Sequence, residues 1–138
     1  MNHDRVLVAV STAQLACGVW GMALAVRRRH AFDIPFWRGQ ESTVGRDCLL
    51  MGTALSAPAA MMGAQAGGIT VLLRRPSRGA RRLLGGLGAA MVAGYLSERL
   101  VRQRLAPSGW DAGESPVIVA GLGLAAAMAL IGLRLGRP

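Results

Sequence analysis

Lysine is missing from this chain of 138 residues, and all 16 of its basic side chains are arginine. Aromatic residues supply only 4% of the sequence, against 52% for hydrophobic residues as a whole. The apolar mass is therefore alanine, leucine, valine, methionine and glycine, which suits helices packed closely in lipid rather than a soluble core. Histidine is confined to His3 and His30, and no H-x-x-x-H or C-x-x-C spacing occurs, so nothing marks a metal site. Neither a Ser/His/Asp order nor a phosphate-cradling glycine loop followed by lysine is present. Cysteine is limited to Cys17 and Cys48. Cys17 falls about 14 Å below the membrane boundary at which Cys48 sits, too far for a disulfide. No cofactor motif survives either. Val117–Ala126 imitates a strand entering a G-x-G-x-x-A turn, but no acid follows Glu114 to hold a ribose.

What the chain does have is four apolar runs fenced by arginines: 6–26, 48–73, 83–101 and 116–133. Each approaches the roughly 20 residues a membrane-spanning helix needs. The expected fold class is an all-α integral membrane protein, a compact bundle of four transmembrane helices arranged as two hairpins. It forms one domain over residues 1–138 and resides in the cell membrane as a multi-pass protein. The net charge of +9 does not imply nucleic acid as a partner, because the arginines cluster at span ends, where they hold helices against headgroups. The first run has the outline of a secretory signal, but it is long for one. Arg27-Arg28-Arg29 would also open the mature chain, so an uncleaved helix is expected.

Small residues recur at helix-packing intervals: Gly63 and Gly67, extended one register over by Ala60, Ala64 and Gly68, then Gly86, Ala90 and Gly94, then Gly121, Ala125 and Ala129. Such faces let backbones approach and are expected mainly inside the bundle. Pro58 is expected to kink the second span by freeing the carbonyl of Ala54, with Thr53 and Ser56 close enough to cover it.

Four spans place the loops 27–47 and 102–115 on one side of the membrane, with both termini and the basic turn 74–82 on the other. All six aromatics and six of the seven acids then fall toward the long-loop side. Arginines divide evenly between the sides, so the positive-inside rule leaves orientation undecided.

On the long-loop side Glu98 is the candidate for chemistry. Tyr95, Glu98 and Arg102 lie one turn apart on a shared helical face. Glu98 then reads either as an acid/base or proton-binding carboxylate oriented by Tyr95, or as half of a Glu98–Arg102 pair closing the helix end. Gln14, near mid-membrane, and Gln65 read as interhelical hydrogen-bonding groups or ligand contacts. The segment His30–Trp37 reads as a lid over a cavity or as an interfacial anchor, with Asp33 and Arg38 facing water. Candidate ligand-binding residues are Gln14, Trp20, Asp33, Trp37, Ser56 and Arg102, beside Glu98 and Tyr95 as candidate catalytic residues.

Three functions fit these residues. One is binding or processing of a lipophilic small molecule in a polar half-cavity open to the long-loop side, as an intramembrane isomerase, cyclase or hydrolase would do. The second is an accessory subunit packing on a larger membrane partner. The third is a small multidrug-type transporter working as a homodimer. Expected partners are accordingly the lipid bilayer, the lipophilic ligand, and a second copy or larger membrane protein.

Overall fold

The computed structural model describes residues 3–29, 33–40, 42, 46, 52–53 and 55–137. Among these the protein is all-helical apart from one two-residue ribbon. The elements are α1 (His3–Arg28), β1 (Asp33–Ile34), β2 (Trp37–Arg38), α2 (Ala59–Arg74), α3 (Arg78–Ser97), α4 (Arg99–Leu105) and α5 (Ser115–Leu135). A single 3-10 turn, Pro107–Gly109, links α4 to α5. Cys48, His30, Phe32 and Ala54 lie outside the described residues.

Helix ends follow local chemistry. Arg27 and Arg28 occupy the last turn of α1, where positive charge complements the carbonyl end of the macrodipole. Arg29 then adopts a positive φ of 55° and terminates the helix. Pro76 follows α2 by two residues, and Ser77 caps α3 by accepting the Ala80 N–H at 3.2 Å. Pro116 lies in the first turn of α5, where its missing N–H costs nothing.

The four long helices close into a ring, with α1 on α2, α2 on α3, α3 on α5 and α5 on α1. Leu7, Leu84, Ile118 and Met128 fill its centre. The tightest seam is α3 against α5. A Cβ on Gly88 would stand 2.6 Å from the Ala129 amide nitrogen, and one on Gly132 would stand 2.6 Å from that of Gly85. Only glycine allows the two backbones to lie so close. Gly121, Ala125 and Ala129 face this seam as their spacing implies. On α3, however, the packed glycines are Gly85 and Gly88. Gly86, Gly94, Gly63 and Gly67 have open space where a side chain would be. The α2–α3 contact depends instead on Gly68 receiving Leu84.

Two helices, α1 and α5, are long and apolar enough to cross a membrane. Among the described residues of the second apolar run, 52–53 and 55–58 are not helical and the helix begins after Pro58, where a kinked but continuous span is expected from the sequence. Thr53 and Ser56 bond to each other through both backbone groups, at 3.1 and 3.3 Å, and through their hydroxyls, at 2.9 Å. This tight turn is buried, and it seats on α1 because Gly21 leaves room for the Leu55 carbonyl. The proline therefore starts a helix rather than bending one.

The third run also departs from expectation. Its helix begins at Arg78 and stops at Ser97. Glu98 takes an extended backbone (φ −73°, ψ 126°) between α3 and α4. Arg102 reaches back to the freed carbonyls of Leu96 (2.9 Å) and Ser97 (2.5 Å). The orphan acceptors of the α3 terminus are thus held by a guanidinium from the next helix.

Candidate functional site

The break at Glu98 and the late start of α2 leave space between two helix ends. A cavity of about 300 Å³ lies there, walled by Met61 of α2, by Met91 and Tyr95 of α3, and by the Thr53–Ser56 turn. Ile34 of the ribbon and the Glu98 carboxylate complete it. Most of this lining is apolar. The hydroxyls of Thr53 and Ser56 bond to each other, and that of Ser97 bonds to the Ala93 carbonyl at 2.8 Å.

Glu98 is 5% exposed. Its two oxygens accept the same N–H, that of Asp33, at 2.9 and 3.1 Å. The helix break matters here, since it turns the carboxylate out of the α3 helical face and toward the ribbon. Burial pushes the carboxyl above its ordinary value, while the Asp33 and Leu100 amides pull it down. No cation stands within 4 Å of it among the described residues. The expected Glu98–Arg102 pair is not formed, because Arg102 is occupied by the α3 carbonyls and lies exposed.

Tyr95 shares the cavity with Glu98 but does not orient it. Its hydroxyl lies over Gly121 of α5, where an added Cβ would meet it at 2.8 Å. Ser56 lines the cavity. Asp33 touches the site through its backbone, while its side chain lies 3.7 Å from Arg38 and 3.9 Å from Arg99. Trp20 is 59% exposed on the outer face of α1 and does not line this cavity. For Trp37 the backbone pairs with Ile34, and the side chain lies outside the described residues. Phe36 is 98% exposed at the ribbon turn, and among the described residues of the loop Ile34 is the one that lines the cavity.

Gln14 is buried well away from this space. The Gln65 amide nitrogen donates to the Gln14 side-chain oxygen and to the Ser11 carbonyl, each at 2.8 Å, stitching α1 to α2. Both glutamines act as interhelical hydrogen-bonding groups.

No family model, curated protein or solved structure matches the chain.

One charged cluster was not anticipated. Glu114 is fully buried, accepting from Arg28 at 2.6 Å and from Arg104 at 2.7 Å. Asp111 supports it, accepting the N–H groups of Glu114 (2.8 Å) and Gly113 (2.9 Å) and lying 3.3 Å from Arg28. These amides, that of Glu114 first, hold the Asp111 carboxyl below its ordinary value. The cluster ties the end of α1 to the start of α5, and every acid in it has a partner. The position of Glu114, just ahead of Ser115-Pro116, was the available hint, since acids favour helix starts.

Proposed function

We propose that the protein is a multi-pass membrane protein whose four long helices cross the bilayer and which binds a lipophilic small molecule in the cavity beside Glu98. The stretches placed in the hydrocarbon are 6–26, 59–73, 83–97 and 116–133, with Glu98 just beyond the third. The membrane placement draws on α1 and α5: only 28% of the apolar window of each is buried within the protein. A core helix of a soluble domain would be covered on most of its faces. The 16 residues of α2 give only about 24 Å of helix. The buried Thr53–Ser56 turn would extend that span, as irregular backbone at membrane depth requires satisfied hydrogen bonds and a protein surround.

The observation that carries ligand binding is the cavity itself: about 300 Å³, apolar over most of its lining, with the buried Glu98 and Ile34 of the ribbon among its walls. That volume is at the lower edge of the range for small-molecule sites, so the ligand is compact. The ribbon serves as a lid held by the Asp33–Glu98 hydrogen bond. Among the described residues the titratable groups lining the cavity are Glu98 and Tyr95, and any chemistry on the ligand would rest on these two.

Two measurements test the proposal. With Cys17 and Cys48 replaced by alanine, single cysteines at Gly79 and Ala112 should be labelled from opposite faces of sealed vesicles. Both are exposed positions. Labelling of both from one face in a uniformly oriented population overturns the membrane reading. For the cavity, 1-adamantanol should bind the protein in phosphatidylcholine nanodiscs above the level of empty discs. Gly94→Leu should abolish that excess, because Gly94 lines the cavity and has open space for a side chain. No excess binding by the unmodified protein rejects the cavity as a ligand site.

A further inference from the structure

Glu98 raises a question that lipophilic binding alone does not answer: what neutralises it. A carboxylate this deeply buried costs free energy unless a cation or several hydrogen bonds satisfy it. Glu114, equally buried, has two arginines within 2.7 Å. Arg38, Arg99 and Arg102 all lie near Glu98 in the chain fold, yet each is turned elsewhere. Arg38 and Arg99 approach Asp33, and Arg102 holds the α3 carbonyls. What remains to Glu98 is backbone N–H groups, which leave part of its acceptor capacity free.

Glu98 is part of the cavity wall. Among the described residues no basic side chain lines that space; the Thr53, Ser56 and Ser97 hydroxyls already bond to one another or to backbone, and the Tyr95 hydroxyl lies over Gly121 of α5. An anionic ligand would meet a buried carboxylate with nothing to offset it. An uncharged ligand would fill the apolar walls and leave Glu98 as it stands. A ligand with a compact hydrocarbon body and one protonated amine would satisfy both halves at once. The body replaces empty space against Met61, Met91 and Ile34, and the ammonium donates to the open lone pairs of Glu98.

From this we infer that the cavity selects a lipophilic amine, recognised as its ammonium by Glu98. This rests on the reading of the cavity as a ligand site and narrows it to one chemical class. Charge-assisted hydrogen bonds in a water-poor site are strong, so the preference for amine over an uncharged analogue should be large. It also assigns Glu98 a role as a recognition group that needs no partner residue to orient it, in keeping with the direction of the Tyr95 hydroxyl toward α5.

The test compares three probes sharing one hydrocarbon cage: 1-adamantylamine, 1-adamantanol and 1-adamantanecarboxylate. Each is titrated against the full chain in phosphatidylcholine nanodiscs, with empty discs subtracted. The amine should bind at least tenfold more tightly than the alcohol, and the carboxylate more weakly than either. In Glu98→Gln the amine-to-alcohol ratio should fall to about one. Should that variant fail to fold, as thermal unfolding would reveal, the ratio in the unmodified protein still decides. Equal affinity for amine and alcohol overturns the inference while leaving the cavity reading in place. Preference for the carboxylate likewise overturns it. Binding of none of the three overturns both, so the two failures are told apart by the alcohol.

Discussion

At the loop end of the helix ring two carboxylates, Glu98 and Glu114, are buried; at the opposite end the described acid, Asp4, is only partly so. Glu114 is enclosed by Arg28 and Arg104, and Glu98 sits in a cavity wall with backbone donors only. At the other end Asp4 meets Arg81 in a bidentate pair at 2.8 and 2.7 Å, with both side chains partly exposed. Arg82 takes the Gly136 carbonyl at 2.7 Å and closes α5. The basic end fastens helix termini and does little else. The loop end fastens one corner with Glu114 and leaves the other, at Glu98, electrostatically incomplete. An uncompensated group maintained at a cost to stability is a reason to look for a ligand there.

The largest effect that would sharpen this contrast is the loss of Glu114. Glu114→Gln leaves Arg28 and Arg104 without their shared carboxylate. Because both arginines keep some solvent, we expect a loss of about 2–3 kcal/mol, below the usual cost of breaking a fully buried pair. Reversible unfolding in mixed micelles would measure it. A loss under about 1 kcal/mol would place the Glu114 cluster on a par with the basic end and dissolve the comparison.

Next comes Gly21→Val on α1. Its side chain would collide with the Leu55 carbonyl and push the Thr53–Ser56 turn off the helix. An expected cost of about 1–3 kcal/mol comes from overpacking. Binding of 1-adamantanol should fall as well, since that turn walls the cavity. Retained binding with lost stability would detach the turn from the site.

Asp4→Asn should cost only about 0.5–1 kcal/mol, as expected of a pair that solvent reaches. The Arg81 hydrogen bonds hold the Asp4 carboxyl below its ordinary value. Its contribution is therefore present above that value and disappears as pH falls through the lowered one.

Glu98→Gln gives the smallest change in stability, and the opposite sign. A carboxyl raised by burial favours the folded state most when protonated. Native stability should decline as pH climbs through and just above the ordinary glutamate value of about 4.3, then level off. The variant should lack that decline and be as stable as the native protein, or slightly more so, at pH 7. Marked destabilisation at pH 7 would show that Glu98 braces the lid instead of being held at a cost.

Much of the helical content was legible because hydropathy and arginine placement are one-dimensional signals. Prolines and a serine cap mark where α2, α3 and α5 begin. The site was only half legible. Glu98, Tyr95 and Ser56 were singled out and do meet at one cavity, yet the reasoning that grouped Tyr95, Glu98 and Arg102 assumed an unbroken helix. No proline or glycine marks the stop at Ser97, since it is stabilised by Arg102 curling back, a contact visible only in three dimensions. Gly85 and Gly88 escaped notice for a similar reason. Several glycine registers run along α3, and only the position of α5 decides which one is used.

By itself, then, the sequence determined that long apolar helices form and where arginines bound them. Those follow from composition and local propensity. Tertiary structure decided which glycines became a seam, that Pro58 opens a helix, that Glu114 acquires two arginines and that Glu98 acquires none. Each depends on which backbone stands opposite, and that is settled by packing among residues far apart in the chain.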